Sequence, residues 1–169
     1  MSIELHRLHF EKVISFLTRG NFNIDKNLDR LINTYYNLFN GYDKDESSLT
    51  EYLIKFQTIE KYSNTININN IPFSSFCEHH FLKFEGFIDI SYIPKDYILG
   101  FDRFLDLINI NSRKLQLQEK LGNDILNSIV KVLQPLKCIV KIKAKHDCIC
   151  IRGFEAREVF IETVSSFNF

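Results

Sequence analysis

The 169-residue chain has no excess of charge of either sign, since 21 basic residues balance 21 acidic ones. With no net field, nothing gathers nucleic acid or an anionic membrane from a distance, so any anion has to be held by a local arrangement. Long apolar runs are also missing. From Met1 to Leu17 the apolar positions are interrupted by Glu4, Arg7, Glu11 and Lys12, which excludes the uninterrupted apolar centre of a signal peptide. No later stretch approaches the roughly 18 apolar residues that a bilayer span requires. A cytosolic protein is therefore expected. Cysteine is sparse, at Cys77, Cys138, Cys148 and Cys150, and in a reducing compartment these read as core, metal or catalytic thiols rather than as a disulfide framework.

What is present is enough for one compact unit. A chain of this length buries roughly 70% of the surface that its unfolded form exposes. Apolar residues at helical spacing predict a helix over Leu5–Thr18, with His6 and His9 on its exposed side. They predict a second helix from the cap Asp25 to Gly41, carrying the stripe Leu28, Leu31, Ile32, Tyr35, Leu38 and Phe39, with Arg30 on its flank. Residues 43–64 are weakly patterned, with a short helix expected near Leu49–Lys55. Strands are expected at Thr65–Asn70 and Phe84–Pro94, and helices at Phe101–Ile110 and from about Arg113 to Gln134, where Pro135 closes the run. From Lys137 the period becomes two: Cys138, Val140, Ile142 and Ala144 face one way, and Lys137, Lys141, Lys143 and Lys145 face the other. Such a lysine row is ordinarily a solvated strand face. A last strand is expected at Glu158–Ser166. This order gives an α+β plan, an antiparallel sheet with helices on one face, divided into an N-terminal helical region (1–60) and a sheet-bearing catalytic region (61–169).

The chemistry gathers in two short stretches. Cys77 and His80 are spaced so that a thiolate and an imidazole can reach one metal ion from a single tight turn. Far downstream stand His146, Asp147 and Cys148. On a strand, His146, Cys148, Cys150 and Arg152 would share one face. Cys148 beside Cys77 and His80 would give zinc three protein ligands and leave a fourth position for water, the arrangement of a catalytic rather than a structural site. His79 and His146 would then flank the ion as proton carriers, because imidazole titrates in the working range. Cys150 is read as packing.

The run Phe76-Cys77-Glu78-His79-His80-Phe81, followed by Tyr92-Ile93-Pro94, Gly100, Arg113, Gln116-Leu117-Gln118-Glu119-Lys120-Leu121, His146, Cys148 and Arg152-Gly153, resembles the GTP cyclohydrolase I family. Upstream, Arg30 with Phe39, Gly41 and Tyr42 is similar to the family's arginine-bearing helix. The resemblance implies a tunnelling fold (T-fold) assembled as a ring-shaped homodecamer. It also implies hydrolytic opening of the guanine imidazole ring of GTP, with release of formate and formation of 7,8-dihydroneopterin triphosphate. By the same resemblance Cys77, His80 and Cys148 hold Zn²⁺, His79 and His146 handle protons, Glu119 with Gln118 grips the guanine edge, and Arg152 and Arg30 take phosphate; Arg103 and Arg113 are further candidates for holding a triphosphate. Neither a nucleic acid nor a membrane partner is implied.

The pattern is broken at the phosphate end. Where the family carries a serine-lysine pair and a further arginine after Gly100, this chain has Asp102, Arg103 and Asp106, and Asn33 replaces a lysine one turn beyond Arg30. A carboxylate in place of a cation about 5 Å from phosphate reverses an attraction of several kcal/mol before screening. Three readings follow: a GTP cyclohydrolase I, a zinc hydrolase of the same fold acting on a purine with fewer phosphates, and an inactive zinc-binding homologue.

Overall fold

A computed structural model of the chain describes residues 3–24, 27–45, 49, 53–55, 62–151 and 159–168. It falls into two compact units, Met1–Asn40 and Gly41–Phe169. In the first unit, helices α1 (Ile3–Leu17) and α2 (Leu28–Leu38) pack on each other, with Arg7 paired to Asp29 and the Phe10 and Tyr35 rings 6.1 Å apart. Asp25, the expected cap of α2, lies outside the described residues, and Asn27 occupies the N-cap position.

The second unit holds β1 (Leu53–Lys55), β2 (Ile66–Cys77), β3 (Lys83–Ile93), β4 (Tyr97–Leu99), α3 (Phe101–Ser112), β5 (Leu115–Gln116), α4 (Gln118–Leu133), β6 (Lys137–His146), α5 (Asp147–Cys150) and β7 (Ile161–Phe167). The main sheet has the order β5-β2-β3-β6-β7, antiparallel throughout except for the parallel β5–β2 pair, while β1 and β4 form a separate antiparallel pair. Alternation builds the core. Phe84, Ile88, Ile90 and Tyr92 of β3, and Cys138, Val140, Ile142 and Ala144 of β6, are buried on one face, against which α3 and α4 lie. The opposite face keeps the lysine row, where Lys141 meets Glu162 at 3.1 Å and Lys143 and Lys145 stand over the Phe160 ring. The α+β plan expected from the sequence is thus the one found, with an antiparallel sheet and two helices on one face.

Four local expectations differ. The first strand runs on to Cys77 instead of stopping at Asn70, because a bulge between Ile68 and Ile71 absorbs the irregularity. Asn70 takes φ +59 there, and its N–H donates to the Asp89 carboxylate at 2.7 Å. Pro72 is tolerated because β5 pairs only with Phe76 and Cys77, so Pro72 needs no donor on that side. Residues 53–55 form a strand against β4 rather than a helix. The long helix begins at Gln118, not Arg113, since Leu115 and Gln116 are drawn into the sheet beside Cys77. The strand read through to Arg152 ends at His146, and Asp147–Cys150 turns into one helical turn.

Two glycines mark close approaches. A Cβ on Gly86 would stand 2.0 Å from the Lys143 carbonyl oxygen, so only glycine allows β3 its register on β6. A Cβ on Gly41 would stand 2.4 Å from the Ile110 carbonyl oxygen, and the Gly41 N–H donates to the Arg113 carbonyl at 3.0 Å, tying the entering chain to the end of α3.

Candidate active site

The β2–β3 connection is a tight turn closed by backbone hydrogen bonds. The Cys77 N–H donates to the Leu82 carbonyl at 2.8 Å, and the Phe81 N–H donates back to the Cys77 carbonyl at 2.8 Å, with Phe81 in the left-handed region at φ +55. A third bond, Glu78 N–H to the Gln116 carbonyl at 3.1 Å, fastens the turn to β5. This geometry buries Cys77 and leaves His79 and His80 exposed beside it. The His80 Nδ1 lies 3.8 Å from the Cys77 sulfur.

Cys148 arrives from α5, immediately after β6. Because Phe84 of β3 pairs with His146 of β6, the end of β6 lies next to the start of β3 and hence beside the turn. One ligand atom each from Cys77, His80 and Cys148 then lies within 4.8 Å of the others. A tetrahedral ion with bonds of about 2.0 to 2.3 Å sets its donors about 3.5 to 3.8 Å apart, so the Cys77–His80 pair already has that spacing and Cys148 needs a movement smaller than a bond length. Two sulfurs and an imidazole suit a soft or borderline divalent ion, and three ligands leave a tetrahedral position open. The residues present fit a metal.

His146 is fixed from two sides. Its ring stacks on Phe84 with centroids 4.7 Å apart and planes 3° from parallel, and its Nε2 lies 2.8 Å from Gln118 Oε1. Burial holds its imidazole below the ordinary histidine range, against the opposing pull of the Glu119 and Asp147 carboxylates. Gln118, one residue into α4, is 2% exposed. Its amide nitrogen donates to the carbonyls of Ile142 and Ile161, at 3.2 and 3.0 Å, and to Thr163 Oγ1 at 3.2 Å. The side chain expected on a guanine edge is therefore enclosed by β6 and β7. Glu119 is exposed in the first turn of the same helix.

Two of the cationic residues, Arg103 and Arg113, lie at the two ends of α3. Arg103, on the first turn of α3, is gripped by both carboxylates that distinguish this chain: Nη2 to Asp102 at 2.6 Å and Nη1 to Asp106 at 2.7 Å. Arg103, Asp106 and Arg113 line a cleft of about 320 Å³ together with Lys44. Arg30 lies on α2 of the first unit, and Arg152 lies outside the described residues. Sequence reasoning missed Lys44, which sits in a weakly patterned stretch, and Phe84, whose part is visible only once strand register sets it opposite His146.

An antiparallel sheet covered on one face by two helices, with a Cys-His-Cys set where its central hairpin meets a following helical turn, defines an α+β protein with a three-residue group able to hold a metal ion. The chain belongs to the GTP cyclohydrolase I family, whose sequence pattern matches residues 18–167. It is 41% identical over 128 residues to GTP cyclohydrolase 1 of Rickettsia prowazekii, covering 76% of this chain and 66% of that protein. It is 42% identical over 125 residues to GTP cyclohydrolase 1 of Rickettsia africae, covering 74% and 65%. The matched stretch thus spans just under two thirds of these relatives. A solved structure, the archaeosine synthase QueF-Like in the apo form, shares 19% identity over 62% of this chain and 94% of its own, at a TM-score of 0.49.

Proposed function

We propose that the chain is a zinc-dependent GTP cyclohydrolase, opening the imidazole ring of GTP by hydrolysis to give formate and 7,8-dihydroneopterin triphosphate. The observation that carries this reading is the convergence of Cys77, His80 and Cys148 beside a half-buried His146 in a member of this family. Zinc held by these donors would supply Lewis-acid chemistry, making water a nucleophile near neutral pH. The chain's own residues do the rest. His79, exposed next to a donor, and His146, whose imidazole burial holds below the ordinary histidine range, take and return protons as the ring opens. Glu119 accepts hydrogen bonds from the N–H and amino donors of the guanine edge. Arg113, Arg103, Arg30 and Arg152 answer the phosphates, and Lys44, which lines the α3 cleft with Arg103 and Arg113, adds a further cation. A ring of ten copies and a cytosolic location belong to the same reading. Among the described residues no helix is long and apolar enough to cross a membrane.

A second reading is favoured by one observation: the Arg103 guanidinium is already bound by Asp102 and Asp106. A site whose arginine already faces two carboxylates suits a purine nucleotide with fewer phosphates. Incubating the zinc-loaded protein with GTP, GMP and guanosine separately, and following formate and pterin fluorescence, decides between them. Product from GTP upholds the first reading, product from GMP but not GTP replaces it with the second, and no product from any with zinc still bound overturns both.

A further inference from the structure

Gln118 has a role that its place beside Glu119 conceals. Two of the three groups facing its amide nitrogen, the Ile142 and Ile161 carbonyls, can only accept hydrogen bonds. Turning the amide over would set oxygen against two carbonyl oxygens inside the fold, so the NH₂ end is fixed toward β6 and β7. The Oε1 end, which can only accept, is thereby aimed at His146 Nε2 at 2.8 Å. That nitrogen must carry the proton. A neutral imidazole has one donor and one acceptor nitrogen, which leaves Nδ1 as the acceptor. Phe84, fully buried and stacked parallel on the ring, keeps the plane from turning away.

We propose that Gln118 is a positioning residue that locks His146 in its Nε2–H form, so that His146 exchanges protons through Nδ1 alone. Gln118 then serves turnover through His146 and leaves the guanine edge to Glu119. The consequence for turnover rests on the ring-opening reading above, whereas the proton's position on His146 does not. The thiol and imidazole donors of the metal group take no part in the argument. The partners that orient a functional histidine in this way are commonly worth tenfold to a hundredfold in metal sites, and an effect on the order of tenfold or more is expected here.

The test uses ring-¹⁵N-labelled full-length protein at a pH well above the imidazole range, with the His146 signal identified by its loss in His146→Gln. The wild type should show a protonated Nε2 and a bare Nδ1. Gln118→Leu should let both forms appear and should lower kcat on the order of tenfold or more with KM little changed. Thr163→Val, which removes one amide partner without touching the histidine, should keep the wild-type pattern. A wild-type ring protonated at Nδ1, or a Gln118→Leu protein whose ring signals match the wild type, overturns the proposal. So does a Gln118→Leu defect confined to KM, which would put the amide on the substrate. The wild-type spectrum decides even if Gln118→Leu fails to fold. Should neither GTP nor GMP be turned over, the ring-opening reading falls while the spectrum still decides the proton's place.

Discussion

The hairpin end of the sheet and the cleft along α3 handle charge in opposite ways. At the hairpin, backbone bonds shape the turn, and Cys77, His80 and Cys148 are presented with their ligand atoms toward one point. Along α3, Arg103 is bound by its own helix neighbours, Asp102 and Asp106, so any anion approaching it would compete with carboxylates already in place. Geometry specifies the first region and charge balance the second. A donor set held by sheet register tolerates little change, while a charge balance on the outer side of a helix can be moved by single substitutions worth about a kcal/mol each.

The largest effect expected is at the hairpin end. Cys148→Ser should lose both zinc, measured by elemental analysis after gel filtration, and turnover, because one of the two sulfur donors is gone. Cys150→Ser, at the other end of the same helical turn, should lose neither; zinc loss in that variant would show that the wrong thiol has been assigned. A smaller, opposite effect is expected in the cleft. The double change Asp102→Asn with Asp106→Asn should release Arg103 and lower KM for GTP by about fivefold to tenfold, with a lesser change for GMP. Equal gains for both nucleotides would mean that the carboxylates do not discriminate phosphate number.

The smallest effects should appear in stability against pH, followed by urea unfolding of the metal-free protein. His146 has its pKa lowered by burial, so its contribution is complete above the ordinary imidazole value of 6.5 and is lost as pH falls below it. Cys138 and Tyr92 lie opposite each other on β6 and β3. Burial pushes the Cys138 thiol from 9.0 up to about 12, and burial with the neighbouring Cys138 pushes the Tyr92 hydroxyl from 10.0 up to about 12. Their contribution is complete below pH 9.0 and fades as pH climbs toward about 12. Cys138→Ala should remove the thiol's part of the alkaline loss while leaving the acid limb at His146 unchanged. An altered acid limb would show that core and hairpin are not independent.

Much of this was legible in the chain. The alternation of Cys138, Val140, Ile142 and Ala144 with lysines became the two faces of β6, and the Cys77–His80 spacing became a turn that presents both donors. The local pattern predicts helix from Arg113, whereas Leu115 and Gln116 are held by a parallel pairing with β2 that no local pattern encodes. At Asp147–Cys150 alternation predicts that the strand carries on past His146, but the backbone turns helical there.

Local periodicity and side-chain chemistry, which act between near neighbours, thus determined the α+β plan, the donor types and the family motifs. Only the tertiary structure decided that Cys148 reaches the hairpin from a helical turn, that Arg103 is clasped by both carboxylates, and that Gln118 faces His146. The last of these joins residues 28 apart in the chain. It depends on strand register and on the packing of α4 against β6 and β7, which belong to the folded chain as a whole.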